Sequence, residues 1–214
     1  MPTITRIAEQ KRRPNRRSIH IDGRFAFGCN VNVVARFRLR EGMELSAEQI
    51  EGIQRGEVRQ ECFDKAIFYL QRRLHSRAEL VKKLAKLEYP APMIDEVLAD
   101  LERLGYVNDQ RFAATRAQLA ADHRSHGPRR AMLELLKTGV SRETASRAIE
   151  DVYETRDNLA VARRLAEKKA PSLKRLDPQT ARRRLAGMLL RRGFDYDTVK
   201  PVIDEVLGSS QTDD

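Results

Sequence analysis

The 214-residue sequence predicts a mainly α protein: three tandem three-helix repeats in an elongated, curved array, preceded by a small N-terminal segment with a β-hairpin and one or two helices. Three observations predict it. Polar and apolar residues alternate around a turn pair near the N-terminus and nowhere else. From about Asn30 onward, apolar residues recur at helical spacing, with capping residues ahead of the apolar runs and glycines behind them. The segment from Leu84 to Leu101 returns twice, at offsets of 51 and then 54 residues.

The first element is the hairpin Ser18-Ile19-His20-Ile21, Asp22-Gly23, Arg24-Phe25-Ala26-Phe27, in which Asp-Gly takes the positive φ of a type I′ turn at little steric cost. A third strand is expected over Thr3 to Gln10, followed by a basic loop from Lys11 to Arg17. Ser46-Ala47-Glu48-Gln49 and Ser76-Arg77-Ala78-Glu79 read as capping boxes, each opening a helix. Asp177-Pro178 sets a cap before a proline at the first helical position, and Gly105, Gly139 and Gly193 stop helices ahead of the apolar Tyr106, Val140 and Phe194. In the repeat frame Leu84, Leu135 and Leu189 correspond, as do Tyr89, Val140 and Phe194, then Ile94, Ala145 and Val199, then Leu98, Ile149 and Ile203. A longer helix precedes each pair, near Glu61–Leu74, Asp109–Arg124 and Arg156–Lys169. The expected organisation is an extension over 1–58, repeats over 59–106, 107–154 and 155–208, and a disordered tail over 209–214. Each repeat leaves an apolar face that a neighbour must cover.

Composition bounds the function. Hydrophobic residues make up 41% and charged residues 34%, a globular balance, and 41 basic against 31 acidic side chains leave a formal charge of +10 that attracts polyanions. No signal-peptide core or membrane-length apolar run occurs, so a cytoplasmic protein with no membrane partner is expected. Cys29 and Cys62, far apart and without a partner pattern, read as reduced structural thiols. No phosphate-binding loop, nucleophile elbow or zinc-protease helix is present, and Asp122, His123 and His126 read as a solvated helix end, so neither an enzyme nor a metal or cofactor site is expected.

The charge is unevenly placed. Second helices of the repeats carry +3, +2 and +5, whereas third helices carry −3, −1 and −2. Stacked in one orientation, the second helices would form a basic stripe able to follow a polyanion. With twelve Phe and Tyr, most of them core-like, and no Trp, contact with DNA should go mainly to phosphates and be indifferent to sequence. Phe25 and Phe27 share one side of a strand and are expected to cover its core.

Tyr69-Leu70, Arg73, Ser76, Glu79-Leu80 and Leu84 resemble the first repeat of the RecX family, and Leu104-Gly105-Tyr106-Val107-Asn108-Asp109-Gln110-Arg111-Phe112-Ala113 resembles the segment joining its first two repeats. Gly127-Pro128-Arg129-Arg130, Gly139-Val140-Ser141 and Arg191-Arg192-Gly193-Phe194 extend the likeness, which spans roughly residues 60 to 207, and the hairpin resembles the extension of the longer members. The resemblance implies a regulator of the recombinase RecA in recombination, DNA repair and the SOS response. Such a protein binds RecA filaments on single-stranded DNA and limits strand exchange, ATP hydrolysis and co-protease activity. Most matched positions look like scaffold, so the candidate contacts come from charge: Arg72, Arg73, Arg77, Lys82 and Lys83 in the first repeat, Arg129 and Arg130 in the second, and Arg182, Arg183, Arg191 and Arg192 in the third. A monomer is expected, with duplex DNA as a second phosphate-bearing partner. The alternative is a stand-alone helix-turn-helix-like DNA-binding protein, although Gln179 is alone as a base reader on a second helix.

Overall fold

The computed structural model describes residues 1–208, so the tail expected over 209–214 lies outside the described residues. Strands β1 (Ile4–Gln10), β2 (Arg13–Ile21) and β3 (Arg24–Asn30) form an antiparallel sheet in that order. Asp22 and Gly23 have φ of 49° and 79°, the two positive values the type I′ turn requires. The basic stretch expected as a loop is largely strand: only Lys11 and Arg12 turn, Arg13 and Arg17 pair with β1 on either side of a bulge, and Arg16 and Arg17 pair with β3. Arginines line this strand because one face of the sheet is solvated, so charge does not oppose pairing there.

Helix α1 (Val31–Arg36) follows the sheet directly, and α2 (Ala47–Leu70) runs unbroken for 24 residues from its Ser46 capping box. The boundary expected between residues 58 and 59 therefore falls inside one helix. Its first half buries Ile53 in the core of Ile4, Ile19, Cys29, Val33 and Leu45, and its second half buries Cys62 and Ala66. The remaining helices are α3 (Arg77–Ala85), α4 (Ala91–Arg103), α5 (Asp109–Asp122), α6 (Pro128–Lys137), α7 (Arg142–Tyr153), α8 (Asn158–Lys169), α9 (Pro178–Arg192) and α10 (Tyr196–Leu207). A 3-10 turn, Ala170–Leu173, extends α8.

Two compact units result. The first holds Met1–Leu74 and Leu80–Tyr106, and the second holds His75–Glu79 and everything from Val107 onward. In the first unit Arg59 of α2 is paired with Asp100 of α4 and lies 3.5 Å from Glu96. In the second unit, α8, α9 and α10 enclose Ala162, Ala166, Leu185, Leu189, Phe194 and Val202. Helix starts follow the caps read from sequence: Asp177 accepts from the Thr180 amide and Ser76 Oγ from the Glu79 amide.

Within the second unit, the start of one second helix sits on the end of the next. The Gly127 amide donates to the Arg192 carbonyl at 2.8 Å, and the Arg129 amide donates to the Gly193 carbonyl at 3.2 Å. The start of α3 repeats this on α6, with Ser76 Oγ donating to the Thr138 carbonyl at 2.6 Å. Between α6 and α9, donors left unpaired at one helix start thus meet acceptors left unpaired at another helix end. Gly193 (φ 92°) and Gly139 (φ 81°) are required twice over, by backbone sign and by space: a Cβ would stand 2.4 Å from the Arg130 nitrogen in one case and from Ala78 Cβ in the other. The equivalent position in the first repeat is Glu88, also left-handed at φ 63°.

Replacing Gly193 or Gly139 by Ala is expected to cost at least about 2 kcal/mol, from left-handed strain and overlap together. Glu88→Gly should change stability by less than about 1 kcal/mol, because relieved strain and added chain freedom oppose each other. Urea unfolding midpoints of the three variants check both statements.

Candidate nucleic-acid interface

The junction of α6 and α9 gathers four of the candidate arginines. Arg129 and Arg130 stand in the first turn of α6, and Arg191 and Arg192 in the last turn of α9. Arg130 Nη1 donates to the Arg191 carbonyl at 3.0 Å, and Arg192 Nη1 donates to the Arg124 carbonyl at 2.8 Å. The loop before α6 therefore adds a fifth guanidinium, Arg124, which the repeat frame did not single out because it lies outside any second helix. One carboxylate answers them: Glu134 takes Arg124 at 3.2 Å and Arg130 at 3.4 Å. Arg129 and Arg191 are exposed and form no ion pair among the described residues.

His126 lies beneath this cluster, its Nδ1 3.3 Å from Glu134 Oε1, while its backbone carbonyl accepts the Tyr153 hydroxyl at 2.8 Å. Burial lowers its pKa, Glu134 opposes that, and Arg130, Arg124 and Arg192 reinforce it, so the imidazole is held neutral. Arg156 ties the same loop down, reaching Asp122 at 2.6 Å and the Ala121 carbonyl at 2.7 Å. The result is a rigid, solvent-facing set of guanidinium groups suited to phosphate oxygens, which they can engage bidentately.

The other candidates divide. Arg182 is not a free cation: it is paired with Asp204 and donates to the Gly208 carbonyl, tying α9 to α10. Arg183, one position on, is exposed beside Tyr196 and Lys200 at a groove of about 210 Å³. In the first unit Lys82 is exposed, Arg73 Nη1 donates to the Leu74 carbonyl at 2.8 Å, and Arg72 and Lys83 lie over aromatic rings. Arg77 is half-buried at the start of α3, where its amide donates to Asp109 at 2.8 Å. The expectation that Phe25 covers the core of its strand is overturned: a bulge between its register and that of Phe27 leaves it 60% exposed, while Phe27 packs against the sheet core. Sequence reasoning passed over Phe68 and Tyr196, which are 43% and 63% exposed. Phe25 sits next to the turn, with the His20 ring edge-on at 5.9 Å.

Both thiols are buried and unbridged. Burial first, and Glu57 second, push Cys29 up to about 12, and burial pushes Cys62 up to about 11, so neither is a thiolate at neutral pH. Among the described residues no three His, Cys, Asp or Glu side chains cluster for a metal, and no helix is long and apolar enough to cross a membrane.

Known proteins match this architecture along most of its length. The regulatory protein RecX N-terminal domain matches residues 2–46, the first three-helix domain of RecX matches 62–101 and the third matches 156–203. Regulatory protein RecX of Bacillus subtilis (strain 168) is 31% identical over 206 residues, which is 96% of this chain and 78% of that protein. The chain belongs to the RecX family. Regulatory protein RecX of Listeria monocytogenes serovar 1/2a is 30% identical, over 94% of this chain and 75% of its own length. A crystal structure of a regulatory protein RecX shares the fold with a TM-score of 0.84 at 22% identity, covering 95% of this chain and all of that one. RecX from Lactobacillus salivarius superposes with a TM-score of 0.64 at 25% identity, over 71% of this chain and 97% of the other. In this RecX-family chain, the α6–α9 junction falls on the residues Gly127-Pro128-Arg129-Arg130 and Arg191-Arg192-Gly193-Phe194 that carried the resemblance, so those positions are scaffold through their glycines and cationic surface through their arginines.

The neutral His126 has a consequence for stability. An unfolded imidazole takes its proton near the ordinary 6.5, whereas the folded one takes it only at lower pH. The unfolded state therefore binds more protons below 6.5, so the contribution is present above that value and is lost as pH falls toward the lowered one. Urea midpoints should decline from about pH 7 to about pH 5. His126→Gln should show a shallower decline over the same range.

Proposed function

We propose that this RecX-family chain is a regulator that acts by binding, with no chemistry of its own: it associates with RecA filaments on single-stranded DNA and limits their recombinase, ATPase and co-protease activity. The observation that carries the reading is the exposed arginine cluster where α6 meets α9, in a chain whose relatives are regulatory proteins. Arg129 and Arg191 are free to meet DNA phosphates or an acidic filament surface, while Arg130 and Arg192 hold the junction in shape. Single-stranded DNA within the filament is the principal nucleic acid, and duplex DNA is bound more weakly through the same phosphates. The protein works in the cytoplasm as a monomer, and the elongated array inferred from its repeats is part of this proposal, with small-angle scattering of the free protein as its check.

Two measurements test the function. Saturating protein should lower RecA-catalysed ATP turnover and strand exchange on single-stranded DNA, and unchanged rates would refute the regulator reading. Arg129→Ala combined with Arg191→Ala should weaken association and reduce the slope of log affinity against log salt by about 1 to 1.5, as expected when two phosphate contacts to a single strand are lost. Fluorescence anisotropy across a salt series reads that slope.

A further inference from the structure

In the first unit, the second half of α2 carries two aromatic rings on its outer side. Phe68 and Tyr69 lie edge to face with centroids 6.0 Å apart. Three cations surround them: Lys65 Nζ is 5.2 Å from the Phe68 centroid and 5.9 Å from that of Tyr69, the Arg72 guanidinium is 4.6 Å from Phe68, and Lys83 Nζ is 4.7 Å from Tyr69. None of these three cations has a carboxylate within ion-pair distance among the described residues, so beyond the rings no opposite charge neutralises them. Phe68 is 43% exposed, whereas Cys62 and Ala66 on the same helix are fully buried.

Beside Phe68 opens a groove of about 480 Å³, between α2 and the end of the sheet. Asn15, Asn32, Asp64, Ile67 and Gln71 line it with Phe68. The side-chain amides of Asn15, Asn32 and Gln71 make no hydrogen bond among the described residues. Asp64 is fixed in place, accepting from Gln60 at 2.7 Å and from Asn30 at 3.2 Å.

An exposed ring, idle amides and cations without a carboxylate at one place ask for a ligand with a flat π face, a hydrogen-bonding edge and a negative charge. A nucleotide in a single strand has all three within one residue, and a duplex hides the face by stacking. An acidic peptide supplies the charge without an obligatory π face, and a membrane surface has no use for a row of amides along a groove. We propose that this groove holds an unstacked base of single-stranded nucleic acid, its face on Phe68 in place of the exposed Arg72 side chain that lies over the ring in the free protein, its edge on the Asn15, Asn32 and Gln71 amides, and flanking phosphates on Lys65, the displaced Arg72 and Lys83. The proposal rests on the nucleic-acid reading above and adds a contact to bases, which phosphate binding by the α6–α9 junction does not require.

The chain has no tryptophan, so Phe68→Trp introduces a single indole reporter at the site. Oligo(dT) should quench its emission, while a duplex of equal length and inorganic polyphosphate leave it unchanged. Phe68→Ala should weaken binding of oligo(dT) about tenfold, within the range measured for one base–aromatic stack, and erase the preference for oligo(dT) over an abasic strand of equal length; Phe68→Trp should restore that preference. Because Phe68 is exposed, the melting temperatures of both variants should match the parent. The base site is overturned if Phe68→Ala binds both strands as the parent does, or if polyphosphate quenches the indole as strongly as oligo(dT). Salt-dependent binding that survives either result leaves the phosphate reading standing, whereas no binding of single strands at low salt overturns both.

Discussion

Helix ends leave backbone donors and acceptors without partners, and here the second helices satisfy them on one another. The amides that open α6 meet the carbonyls that close α9, and at the start of α3 the Ser76 hydroxyl meets the Thr138 carbonyl at the end of α6. The contact works only because the residue at each closing end is a glycine in the left-handed conformation, with no Cβ to hold the incoming helix away. Glu88, left-handed at the equivalent position of the first repeat, shows that the turn alone admits a side chain at some cost in strain, so the close approach adds the stronger demand for glycine.

That head-to-tail contact also places charge. Arginines are usual in the last turn of a helix, where they answer its dipole, and Arg191 and Arg192 follow that rule. Arg129 and Arg130 open α6 against it, at an end where basic residues are unfavourable. The α9 carbonyls and Glu134 offset the cost, and Arg130 spends its guanidinium on both. Arg129 has no such hydrogen-bonded partner among the described residues, and its charge acts on the nearby Asp195 carboxylate. Arg182 has the opposite fate, because Asp204 and the Gly208 carbonyl just past α10 lie within its reach.

The first unit distributes its chemistry differently. A single helix, α2, serves the sheet core with Ile53 and the following three-helix group with Cys62 and Ala66, which leaves its outer side free for Lys65, Phe68 and Arg72. Cation and ring therefore occur together in this unit, while the α6–α9 junction presents guanidinium groups alone. Two surfaces of different character suit a polymer that offers both phosphates and bases.

Much of the architecture was legible in the residues because it is decided locally. The Asp22-Gly23 turn, the Ser46 and Asp177 caps and the left-handed glycines each depend on a few neighbouring side chains, and the repeats expose the core positions by recurrence. Charge counted by helix pointed to the second helices, and the fold brings Arg129, Arg130, Arg191 and Arg192 from two of them to one junction. Tertiary structure decided the rest, since pairing and packing join residues that are distant in sequence. The stretch Arg13 to Arg17 became strand because β1 pairs with its two ends and β3 with Arg16 and Arg17, and α2 ran through an expected boundary because two cores shared it. Which arginine stays free, which is bound to Asp204, and whether Phe68 is covered or open depend on what lies within a few ångströms in space, a quantity that no single stretch of sequence contains.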